Sequence, residues 1–103
     1  MKIFKYQIPV PGQPIAINAP ILSVLAAKNL RGNICVWCEV EERDPEEEEW
    51  VYLMAVGTGW PLPDDFLETW TYIDTVIDDE YVWHVYASGV EVIDEDDMAE
   101  LLC

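Results

Sequence analysis

"ILSVLAAKNLRGNICVWCEVE", residues 21–41, decides the fold class. Its first part, Ile21 to Lys28, suits helix or strand by composition. It is only eight residues long, with Pro20 before it and "NLRGN" after it. So short an apolar run between turn signals reads as a buried strand. Gly32 and Asn33 are the residues best able to take positive φ, which makes residues 29–33 a hairpin loop. "ICVWCEVE", 34–41, is then the return strand, with Ile34, Val36, Trp37 and Val40 as its β-formers.

Outward from that hairpin the same pattern repeats. In "KIFKYQI", 2–8, Phe4, Tyr6 and Ile8 share one face and Lys5 and Gln7 the other. "PVPGQP", 9–14, is a turn, and "IAIN", 15–18, is a short strand. "ERDPEEE", 42–48, is a polar loop broken by Pro45, and it leads into a strand "EWVYLMAV", 49–56. "GTGWPLPDD", 57–65, connects to a helical turn "FLETW", 66–70, behind Asp64 or Asp65 as N-cap. "YIDTVI", "DDE" and "YVWHVYA" make a second hairpin over 72–87. The expected fold is mostly β, a small antiparallel barrel or sandwich of about six to seven strands. The expected organisation is a β-rich domain, 1–88, and an acidic C-terminal segment, 89–103. Asp94 and Asp97 have capping-box spacing, so a short helix is expected at about 95–102.

Charge is unevenly spread. Residues 1–38 carry Lys2, Lys5, Lys28 and Arg31 and no acid; residues 39–103 carry 21 acids and only Arg43. The net charge is −16. Such a chain is repelled by nucleic acids and anionic membranes, whose affinity for proteins rests on Lys and Arg. Basic partners are favoured. Acidity that serves solubility alone is the plain alternative. No apolar run approaches the roughly 18 residues of a membrane span. The N-terminus lacks a signal-peptide pattern, so a cytoplasmic setting is expected.

Each candidate for chemistry has a structural alternative. Cys35 and Cys38 resemble C-x-x-C, but positions three apart on a strand face opposite ways, so buried or half-buried free thiols are expected. His84 could act as a general base, yet no nucleophile pattern accompanies it, and a hydrogen-bonded strand histidine is the simpler reading. "GTGWP" lacks a phosphate cradle and reads as a turn. "DEDD", 94–97, lacks the glycine of a calcium loop. No catalytic residue, metal ligand or cofactor is assigned.

The five tryptophans should be mostly core, but Trp60 lies between Gly59 and Pro61 and is the best candidate for an exposed anchor. Glu39 and Glu41 stand two apart, which on a strand puts their carboxylates roughly 6.6 Å apart on one face. Acids recur at Asp64-Asp65, at Asp78-Asp79-Glu80 and at Asp94 to Asp97. Rows of carboxylates can imitate a nucleic-acid backbone.

The opening "MKIFKYQIPV", then "ILSV", "NICVW", "GTG" followed by Pro61, and "YVWHVY" together resemble an uncharacterised family of small bacterial and phage proteins, over most of residues 1–87. The resemblance implies a small β-rich domain and a phage or prophage setting, and it carries over no site residue. Trp60, where relatives often have histidine, and the acidic tail after residue 88 depart from the pattern. The resulting expectation is a non-enzymatic, phage-encoded anti-defence inhibitor. It would bind a basic host protein such as a CRISPR effector or restriction complex and block its nucleic-acid groove. The expected contacts are Glu46, Glu47, Glu48, Glu49, Trp60, Asp78, Asp79 and Glu80. Alternatives are a small-ligand or nucleotide sponge with a pocket lined by Trp60 and Tyr72, an enzyme using His84, and a phage structural or assembly protein.

Overall fold

A computed structural model describes residues 1–46 and 49–89. Seven strands and one helical turn follow in the order β1 (Lys2–Ile8), β2 (Ile15–Asn18), β3 (Ile21–Leu30), β4 (Asn33–Val40), β5 (Trp50–Gly57), α1 (Phe66–Thr69), β6 (Thr71–Asp78) and β7 (Tyr81–Ser88). They form two antiparallel sheets, β1-β4-β3 and β2-β5-β7-β6. The result is sandwich-like and does not close into a barrel. The helix expected at about 95–102 lies outside the described residues.

Period-2 alternation builds the core. Ile34, Val36, Cys38 and Val40 of β4 face Val51, Leu53 and Ala55 of β5 and Val85 and Ala87 of β7 in one buried cluster. Burying one leucine such as Leu53 contributes about 1.5–3 kcal/mol. The second half of β5, from Leu53 onward, is buried on both faces. Its other side, Met54 and Val56, lies under Phe66 of α1, with Trp70 and Tyr86 packed around them. α1 therefore serves as a lid on the outer face of the four-stranded sheet. Asp65 occupies its N-cap position, but its carboxylate makes no cap hydrogen bond.

The hairpin that sets the fold class is present, with one correction. Its two-residue turn is Arg31-Gly32, at φ 53° and 84°, rather than Gly32-Asn33. A tight two-residue loop needs positive φ at both central residues, and Asn33 already pairs with Leu30 as the first residue of β4. Asn29 Oδ1 accepts the Gly32 N–H at 2.9 Å and steadies the turn.

The two sheets meet at a seam between edge strands β3 and β6. A register shift between Tyr72 and Asp74 re-aims the Asp74 carboxylate. It accepts the Ala27 N–H of β3 at 3.2 Å and the Thr75 N–H of β6 at 2.8 Å. Asn29 Nδ2 donates to Asp78 Oδ1 at 3.1 Å and ties the two hairpin turns together. Cys38 faces the core and Cys35 the opposite side of β4, in register with Gln7 and Lys28; both are buried free thiols. Burial pushes the Cys38 thiol up to about 11.

Candidate functional site

Those expected acidic contacts that lie within the described residues fall into two groups at opposite ends of the four-stranded sheet. The β4–β5 loop enters β5 at Trp50, beside Asn18, while the β6–β7 turn is closed by the Asp78–Tyr81 pair at the far end. An eight-residue strand separates those ends, roughly 25 Å at the usual rise.

In the loop group the Glu49 carboxylate is committed internally. Arg43 Nη1 donates to Glu49 Oε2 at 2.9 Å, Arg43 Nη2 also bonds Glu49, and Arg43 Nε donates to Glu41 Oε2 at 2.8 Å. The guanidinium and the Glu46 N–H hold the Glu49 carboxyl below the usual carboxylate range. Glu46 is exposed, and Glu47 and Glu48 lie outside the described residues. The Glu39–Glu41 row does not form, because β4 ends at Val40 and Glu41 turns to Arg43. In the turn group Asp78 is half-buried against Asn29, whereas Asp79 and Glu80 are exposed. Asp79 sits at φ 46°, a left-handed position that aspartate tolerates better than most residues.

Beside that turn lies a cleft of about 320 Å³ lined by Gly57, Thr58, Trp60, Glu80, Tyr81, Val82 and Trp83. Trp60 is the exposed aromatic that its Gly-Trp-Pro setting suggests, at 44% accessibility. It is nevertheless firmly placed. Its ring lies over Gly57, where a Cβ would come within 2.6 Å of Nε1, and against Gly12, where a Cβ would sit 3.1 Å from Cζ3. It meets Trp83 edge-on, centroids 5.6 Å apart, and Trp83 stacks on Tyr81 at 5.7 Å. Thr58 Oγ1 pins the loop to His84 Nε2 at 2.8 Å. The companions of Trp60 are thus Tyr81 and Trp83, not Tyr72. Tyr72 packs edge-on against Tyr86 and bonds Thr75, outside this cleft. The i, i+2 spacing of Tyr81 and Trp83 on one strand was the sequence signal for this pair.

His84 has Thr58 on Nε2 and Thr75 Oγ1 on Nδ1 at 3.2 Å. Both ring nitrogens are matched by hydroxyls, which donate or accept as the tautomer requires. That is the hydrogen-bonded strand histidine the sequence suggests. Among the described residues no group of three or more His, Cys, Asp or Glu side chains is arranged to hold a metal ion. No described helix is long and apolar enough to cross a membrane.

A family model described as "Domain of unknown function (DUF7352)" matches residues 1–94. The chain belongs to this family. The match covers all seven strands and the aromatic cleft, and it extends past the described residues. Comparison with curated proteins gives no match, and comparison with solved structures gives none.

A second cleft, about 380 Å³, opens between β1 and β2 and includes Lys2, Phe4, Tyr6, Glu41, Glu42 and Arg43. Its charges are mutually paired, Arg43 with Glu41 and Lys2 with Glu42 at 3.7 Å. The cleft at Trp60 differs. Among the described residues no cationic side chain forms an ion pair with Asp78, Asp79 or Glu80. Within this DUF7352 domain it combines open aromatic surface with the carboxylate of Glu80, which forms no ion pair among the described residues.

Proposed function

We propose that this chain is a binding protein for a basic protein partner, and that it is a phage-encoded anti-defence inhibitor of the anti-CRISPR or anti-restriction type. The partner class is a host protein that handles nucleic acid. The observation that carries this reading is the composition of residues 50–89. They form three of the four strands of one sheet and contain seven carboxylates with no lysine or arginine. A nucleic-acid ligand finds little attraction there, while a cationic groove finds a field that speeds association and favours the right partner. The basic residues Lys2, Lys5 and Lys28 sit on the other sheet.

The test is a pull-down from host lysate at low and raised salt. It is repeated with a Glu46–Glu49 to Gln variant and with Asp78→Asn/Asp79→Asn/Glu80→Gln. Salt-sensitive capture of a nucleic-acid-handling protein, weakened in the second variant, supports the reading. Capture of no such protein sinks it. Loss confined to the first variant moves the contact to the β4–β5 loop.

A further inference from the structure

We propose that the cleft formed by Trp60, Tyr81, Trp83 and Glu80 is an arginine-receiving site, the anchor through which a basic protein segment is held. The inference rests on the partner reading above and names the side chain this part of the surface takes.

Three observations converge on a guanidinium. The first is shape and size. Trp60 and Trp83 stand 76° apart and make a corner, with Tyr81 extending the Trp83 wall. The space of about 320 Å³ is near the lower end of ligand-sized sites, on a scale that admits a side chain. The second is surface chemistry. Tyr81 is 60% exposed, so open aromatic area is presented to solvent beside the carboxylate of Glu80. Aromatic faces attract cations through their quadrupole, and a planar, weakly hydrated guanidinium stacks on them. Glu80 can meet the same group edge-on with a charge-assisted pair of hydrogen bonds. The third is field. A neighbouring hollow bounded by Asp78, Asp79, Glu80 and Tyr81 adds carboxylates on the far side of the tyrosine.

The site is also set in advance. Trp60 is seated on Gly57 and Gly12, and its loop is held by the Thr58–His84 bond and by the Trp60 N–H to Gly57 carbonyl bond at 3.2 Å. Little side-chain freedom is left to lose on binding, which favours affinity.

The experiment titrates the whole chain with Nα-acetyl-arginine-N-methylamide while the tryptophan indole N–H signals are followed by NMR. The citrulline analogue, of the same shape but uncharged, is the control. The expected result is a saturable shift of the Trp60 indole, identified through Trp60→Ala, and no comparable shift with citrulline. Trp60→Ala and Tyr81→Leu should each raise the Kd about 3- to 30-fold, the equivalent of a cation–π contact. Gly57→Ala is the sharper variant, because it keeps every ring and evicts the indole of Trp60. An equal response to citrulline overturns the assignment, and so does unchanged arginine binding in Trp60→Ala and Tyr81→Leu. Arginine binding at the cleft with no basic protein captured from lysate overturns the partner reading alone. Capture that survives Trp60→Ala and Tyr81→Leu with no response to the arginine probe overturns this site alone.

Discussion

The two sheets share one core but carry opposite surfaces. The strands of the three-stranded sheet hold Lys2, Lys5 and Lys28 against a single acid, Glu39. The strands of the four-stranded sheet hold Asp74 and Asp78 and no cation. Aromatic residues are divided in the same sense: Phe4, Tyr6 and Trp37 on the first sheet, and Trp50, Tyr52, Tyr72, Tyr81, Trp83 and Tyr86 on the second. The strand charges cancel between the two sheets, so the net charge of −16 is carried by residues outside the strands, while the strands themselves are polarised. One side is built to be cation-free and ring-rich, and the difference can be probed from the core outward.

The largest effect is expected where the sheets are inseparable. Leu53→Ala should lose about 2–5 kcal/mol, because Leu53 is wholly buried between them. Urea unfolding followed by tryptophan fluorescence and by far-UV circular dichroism should stay coincident. Two separated transitions would show that the sheets fold independently and would break the picture of one core.

Next comes the seam. Asp74→Ala removes the acceptor of the Ala27 and Thr75 amides and should cost about 1.5–3 kcal/mol. Asp74→Asn should recover part of that loss. Faster hydrogen exchange at Ala27 is the specific readout, and an unchanged rate would mean the sheets meet without this carboxylate.

The charge contrast is tested by opposed variants. Binding to an arginine-rich peptide at low salt should weaken about 3- to 100-fold in Asp78→Asn/Asp79→Asn/Glu80→Gln, at about 0.2–1 kcal/mol per charge removed. Lys5→Gln/Lys28→Gln should leave it unchanged or tighter. Equal losses in both would mean that polarity does not steer the peptide.

A smaller, pH-dependent difference separates the core thiol from the loop carboxylate. The pKa of Cys38 is raised by burial, so its contribution is complete below about 9 and declines as pH rises toward about 11. Subtracting the stability profile of Cys38→Ala should isolate that decline. Glu49 has the opposite sign: its pairing with Arg43 helps above the ordinary carboxylate range and is lost as pH falls through its lowered pKa. The smallest effect is expected from Glu49→Gln at neutral pH. Such exposed pairs are screened by water and salt, and the urea midpoint should move little.

How much of this could be read from the chain depends on what local pattern encodes. Alternation and turn residues gave every strand of the two hairpins, and the short β2 as well. Strand order is not a local property, so "barrel or sandwich" stayed open until β1 was found beside β4 and not beside β2. The shift at Tyr72/Asp74 was equally silent, since a bulge turns side chains without changing composition. Tyr72 is not a companion of Trp60 because it pairs with Tyr86, three positions along β7 from Trp83. Of the four consecutive glutamates Arg43 holds Glu49, and the acid that borders the tryptophan corner is Glu80 from a different turn.

Strand edges carry a last consequence, for solubility at high concentration. A bare edge can recruit a second chain into a growing sheet. At the β3–β6 seam the Asp74 carboxylate occupies the Ala27 amide that would start such growth. β2 is only four residues long and stands between Pro14 and Pro20, too short a template to propagate. β1 is longer, but Lys2 and Lys5 place positive charge along it. Each edge is thus blunted by a different device, and a chain half of whose residues are hydrophobic is guarded against polymerising through its sheets.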